Sequence, residues 1–145
     1  MIFKSKKDIF FKLIIFSLMI FLTLMEINIV HKNNLQNQDI ISLVILTLVL
    51  VFLLWIFYGT YYEIHKTTFK YASGPFRGKI EINDITEIII GNTMWVGMKP
   101  ATAKNGLIIK YQKFEEIYIS PKSNELFLRE VLKINPNIKL TESKK

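Results

Sequence analysis

The sequence has no cysteine and only two histidines, His31 and His65. The lack of cysteine excludes disulfide staples, thiolate nucleophiles and thiolate metal ligands, and leaves no mark of a redox compartment. A metal site would have to draw on carboxylates, with Asp84, Glu87, Glu115 and Glu116 as candidates. They read more simply as solvated strand ends and turns. Gly91, Gly97 and Gly106 are too scattered for a phosphate-cradling loop, and the patterns of helix-turn-helix and zinc-finger nucleic-acid readers are absent. No catalytic, cofactor-binding or metal-binding residues emerge, no cofactor or nucleic-acid partner is implied, and the chain does not read as an enzyme.

Charge is missing in one further place. Residues 40–62 (IISLVILTLVLVFLLWIFYGTYY) run for 23 residues without a formal charge. At about 1.5 Å per residue such a helix spans a hydrocarbon core of about 30 Å. Trp55, Tyr58, Tyr61 and Tyr62 cluster at its end, where amphipathic rings favour the headgroup level. Residues 9–30 (IFFKLIIFSLMIFLTLMEINIV) form a second apolar segment, with Lys12 near one end and Glu26 near the other. Lys12 can snorkel to the interface. Glu26 can face water or the other helix. The first segment has the basic start of a signal peptide, but Glu26–Ile29 lack a small-residue cleavage site, so it is expected to be retained. Residues 31–39 are too short to be more than a connecting loop. The expectation is a transmembrane helical hairpin, with residues 1–62 as a membrane anchor in contact with lipid.

The net charge of +7 is unevenly distributed. Lys4, Lys6, Lys7 and Lys12 precede or open the first helix, and Lys66, Lys70, Arg77 and Lys79 follow the second, while the loop holds only Lys32. The basic-flank rule then places both termini in the cytoplasm of a multi-pass cell-membrane protein.

From Glu63 the pattern becomes short strands and turns. Residues 63–71 read as a segment that continues directly from the helix end, and Ser73-Gly74-Pro75 marks a turn. Residues 78–83, 85–90, 106–112 and 116–120 alternate or are β-branched, which suggests an antiparallel meander. Ser123 then caps a helix on which Phe127, Val131 and Ile134 share a face, and Pro136 follows its end. Residues 63–140 are expected to form one small domain, and 141–145 a polar tail.

Several features in this order carry a resemblance: FKSKKD at 3–8, two apolar segments, TYYEI at 60–64, KIEINDITEI at 79–88, GLIIKY at 106–111, IYISP at 117–121, the helix at 124–134 and NPNI at 135–138. Together they resemble the bacterial pleckstrin-homology-like family of small membrane proteins, of the YyaB-like type. The resemblance covers nearly the whole chain. It implies a small α+β PH-like domain, a bent antiparallel sheet capped by a C-terminal helix. Asn105-Gly106 stands where members often carry a serine before the strand. The resemblance transfers no catalytic residues.

Two surfaces are candidates for contact with a lipid or partner. Lys66, Lys70, Arg77 and Lys79 could attract anionic headgroups or an integral membrane protein, or simply be a topology signal on a solvated face. The loop 91–104, with Met94, Trp95, Val96 and Met98, could insert into a bilayer or anchor a partner, or Trp95 could fold back onto the sheet. The leading functional expectation is a non-enzymatic, membrane-tethered binding or scaffold module. The alternative is a bacteriocin-immunity or envelope-stress protein that acts through its hairpin.

Overall fold

The structure is a computed structural model, and it describes residues 1–32, 34–94 and 96–142. Two helices, α1 (Ile9–Val30) and α2 (Asn37–Tyr58), form an antiparallel hairpin. Each has 22 residues and is long and apolar enough to cross a membrane. The hairpin has almost no interior: α1 buries only Ile15 and α2 only Phe57. Phe57 stacks on Phe11 with ring centroids 6.2 Å apart and meets the edge of Phe16 at 5.9 Å. Glu26 turns to the neighbouring helix, where the Thr47 hydroxyl donates to its carboxylate at 2.9 Å.

The remaining chain builds two four-stranded sheets and one helix. The first sheet has the order β1 (Ile2–Lys4), β2 (Tyr61–His65), β3 (Thr68–Ser73), β4 (Phe76–Glu81), all antiparallel. The second has the order β7 (Glu115–Ile119), β6 (Gly106–Tyr111), β5 (Ile85–Asn92), β8 (Lys139–Glu142). The short 3-10 turn Ile82–Asp84 joins the two sheets. Helix α3 (Asn124–Ile134) starts where Ser123 accepts the Leu126 N–H, and its buried face carries Phe127, Leu128 and Val131. Phe127 fills the space between the sheets, edge-on to Phe3 and to Phe69 at 5.3 Å from each. Around it Tyr62, Ile82, Ile88, Leu107, Ile109, Ile117 and Ile119 are fully buried. This is the helix-capped sheet domain that the sequence implies.

The structure departs from the sequence expectation in four places. Strand β1 lies ahead of the hairpin and pairs with β2 beyond it (Ile2 with Glu63, Phe3 with Tyr62, Lys4 with Tyr61). Three residues are too short to show a period, and neighbouring lysines mask them as a basic flank. Helix α2 stops at Tyr58, so Tyr61 and Tyr62 belong to a strand, and Tyr62 is core rather than interfacial belt. The stretch 63–71 is not continuous. It folds back at Lys66, whose φ of 51° is a left-handed turn conformation. Lys139–Glu142, expected in part as a loose tail, form β8, parallel to β5. Glu87 of β5 anchors it by accepting the Thr141 hydroxyl at 2.6 Å.

Candidate functional site

Strand alternation sorts the sequence-designated basic residues. On the outer face of the first sheet the register sets out rows across the strands. The row nearest the hairpin holds Lys4, Tyr61, Ala72 and Arg77. The next holds Ile2, Glu63, Lys70 and Lys79, and the third His65, Thr68 and Glu81. Two residues along a strand separate neighbouring rows, about 7 Å. The structure therefore brings Lys70, Arg77 and Lys79 together, with Lys4 as an unforeseen member, while Lys66 sits apart in the distal β2–β3 turn. Lys70 and Lys79 are direct cross-strand partners. Like charges in that position cost a few tenths of a kcal/mol or more. Among the described residues, no carboxylate lies within 4.0 Å of any of these four sequence-designated basic groups.

Trp95 lies outside the described residues. Its neighbours divide. Met94 is buried in a small second core with Ala101, Ile108 and Tyr118, whereas Val96 and Met98 are exposed. The loop returns to the sheet where the Tyr118 N–H donates to the Met98 carbonyl at 3.0 Å.

The foot of the hairpin is a second locus. Ser5, buried after β1, meets the hydroxyls of Tyr62 at 3.1 Å, Thr102 at 2.9 Å and Ser120 at 3.0 Å. The Tyr62 phenol donates to the Pro100 carbonyl at 2.6 Å and accepts the Ser120 N–H at 3.0 Å. Burial pushes its pKa up. Asp8 caps α1 by accepting the Phe11 N–H, and its other oxygen accepts the Lys104 N–H, each at 2.7 Å. On the α2 side the β3–β4 turn packs close, since a Cβ at Gly74 (φ 57°) would stand 2.9 Å from Ile56. Both helix ends are thus fastened to the domain within a few residues.

A family model described as Bacterial PH domain matches residues 60–135. The chain belongs to that family. No curated protein and no solved structure matches it. The matched stretch of the PH domain runs from the residue before β2 to the end of α3. Strand β1, the hairpin and β8 are outside it.

Chemically, the described residues offer cations on the outer sheet face and a buried cluster of hydroxyls at the hairpin foot. Glu87 is committed to Thr141 and Lys110, whose hydrogen bonds hold its carboxyl below the usual range. Among the described residues no three His, Asp or Glu side chains converge as metal ligands. The Ser5 cluster was not legible in the sequence, because its members lie up to 115 positions apart. The β1–β2 pairing brings Ser5 to Tyr62, and the pairing of residues 4–6 with 120–122 brings it to Ser120.

Proposed function

We propose that the chain is a two-span membrane protein whose PH domain is a non-enzymatic binding module held against the cytoplasmic leaflet. One observation carries this reading: β1 and β2, on either side of the hairpin, are paired strands of one sheet. The domain therefore stands at one end of the hairpin, joined through both helices. The exposed apolar helix surfaces favour a lipid solvent over water. The basic residues near the helix ends gather at the domain end, whereas Lys32 in the loop is paired with Asp39 at 2.6 Å, which favours a cytoplasmic domain.

Held in this way, the outer sheet face rises away from the bilayer. Lys70 and Lys79 stand about 7 Å beyond Arg77, so this face suits an acidic surface of a neighbouring membrane protein. The unfavourable Lys70–Lys79 apposition supports a partner that supplies negative charge. A photo-crosslinking residue at Lys79 in host membranes tests it. It should capture a discrete partner that is lost in Arg77→Glu/Lys70→Glu, while the same residue at the distal Lys113 captures none. Equal capture at both positions, or capture indifferent to charge reversal, would sink the reading.

A further inference from the structure

The hairpin foot also contains an open groove of about 690 Å³, which none of Lys66, Lys70, Arg77 and Lys79 lines. Lys4, Lys6, Lys7 and Lys122 surround it, with Tyr58 and Tyr61 on its hairpin side. Their convergence is built into the backbone. The Lys6 N–H donates to the Ser120 carbonyl at 2.7 Å, and the Lys122 N–H donates to the Lys4 carbonyl at 3.0 Å. The segments 4–6 and 120–122 are thereby zipped together, and three lysines leave from adjacent positions. The Lys7 ammonium lies over the rings of Phe57 and Tyr58 at 4.3 and 4.4 Å, at the level where α1 begins and α2 ends.

Among the described residues no carboxylate approaches any of the four lysines within 4.0 Å. The nearest acid in sequence, Asp8, is spent on two backbone N–H groups. Burial, followed by repulsion from Lys12 and Lys4, lowers the pKa of Lys7, so the cation is uncomfortable as it stands. An anion in the groove would relieve all of these at once. The groove's height matters as well. Lys7 stands two residues before the first residue of α1 and Tyr58 closes α2, so in a two-span arrangement the groove lies in the headgroup layer, with rings of the kind that favour that layer on its wall.

We propose that this groove is a headgroup site for an anionic glycerophospholipid, with its phosphodiester among Lys4, Lys6, Lys7 and Lys122 and its acyl chains along the hairpin. The proposal rests on the two-span reading. Four lysines around one phosphate fit a single negative headgroup drawn sideways from the leaflet. Lys4 and Tyr61 edge both this groove and the outer sheet face, whose Lys70, Arg77 and Lys79 lie two and three strands from Lys4 and do not line the groove.

Lys122 is the residue to test, because it lies far from α1 and α2 in sequence and takes no part in setting topology. The full chain is placed in nanodiscs of mixed phosphatidylglycerol and phosphatidylcholine, and the lipid retained after transfer to detergent is read by native mass spectrometry. Wild type should retain phosphatidylglycerol selectively. Each lysine near a membrane surface is worth about fivefold in such binding, so Lys122→Gln should lower retention about fivefold, and Lys122→Glu by about as much again. Lys113→Glu changes net charge equally at the far end of β6 and should retain lipid as wild type does. Thermal melts confirm that the variants are folded. Equal loss from Lys113→Glu, no loss from Lys122→Glu, or displacement of the lipid by millimolar inorganic phosphate would overturn the site. Carbonate extraction is scored in parallel. Release of the chain would sink the two-span reading beneath the proposal, whereas a retained chain without lipid preference sinks the headgroup site alone.

Discussion

Replacing Phe3 with alanine asks whether the residues ahead of the hairpin belong to the PH domain. Phe3 is 5% exposed, although it sits on a three-residue strand that the family model does not cover. Its ring meets the edge of Phe127 at 5.3 Å, and Phe127 in turn meets Phe69. Its loss would open the centre of the core rather than a margin. Truncating a buried phenylalanine typically costs about 3–5 kcal/mol. An edge strand can collapse inward to some extent, so the lower end, about 3 kcal/mol, is expected. For a domain of roughly 60–100 residues each kcal/mol moves Tm by about 4–8 °C, which gives a drop of at least about 12 °C. The assay is a thermal melt of the full chain in one detergent, with Ile2→Ala as the internal control. Ile2 is the adjacent residue and is 66% exposed on the opposite face, so its truncation should cost less than about 0.5 kcal/mol. If the two variants melt within about 3 °C of each other, β1 is not packed as described and the core argument fails.

Other outcomes follow from the same contacts. Tyr62→Phe keeps the ring but strips the Ser120 N–H and the Pro100 carbonyl of a buried partner, and should cost about 2–4 kcal/mol in the same melt. Burial raises the pKa of both Tyr62 and Tyr118 in the folded state. Their contribution is therefore complete below the ordinary tyrosine value of about 10 and is lost as pH rises through their higher folded values. Tm should fall steeply above about pH 10, and less steeply in Tyr62→Phe. Gly106→Ala would drive a methyl into the Ile119 carbonyl and the Tyr118 ring, with a cost of about 1–3 kcal/mol in denaturant titration. Glu87→Gln weakens the hold on Thr141 and Lys110. It should speed amide exchange in Leu140–Glu142 while leaving β6 protected.

The elements that the sequence announced are those with a long or regular pattern. Helix α1 at 9–30 and helix α3 at 124–134 fall where the apolar run and the Ser123 cap put them, because a long apolar run, or apolar spacing kept over three turns, is hard to mistake. Strands β5 to β7 were legible through β-branched runs and alternation. Strands β1 and β8 were not, because three or four residues have no period and their pairing partners lie about 60 and 50 positions away. The end of α2 was overshot for a related reason: Tyr61 and Tyr62 suit a membrane interface and a strand equally well. The candidate site divides along the same line. Arg77 and Lys79 share one face because they stand two apart on one strand, and that was readable, whereas Lys70 joins them through the β3–β4 pairing. The groove formed by Lys4, Lys6, Lys7 and Lys122 depends on the long-range pairing of residues 4–6 with 120–122, which no local pattern encodes.

The central claim is that the strand before the hairpin completes the domain after it. The chain has no native cysteine, so a paired-cysteine experiment is free of background. Ile2 and Glu63 are register partners between the hydrogen-bonded pairs that flank them, including Ile64 N–H to the Met1 carbonyl at 2.8 Å. In such a non-hydrogen-bonded pair the Cα atoms approach to about 4.5 Å, within disulfide range. Lys79 lies in the same row and on the same face but three strands from Ile2, about 14 Å away. Mild oxidation in native membranes should therefore close an intramolecular disulfide in Ile2→Cys/Glu63→Cys and not in Ile2→Cys/Lys79→Cys, as read by mass spectrometry of peptides cut in the 31–36 loop. Failure of the first pair to close, or equal closure of both, would contradict the account.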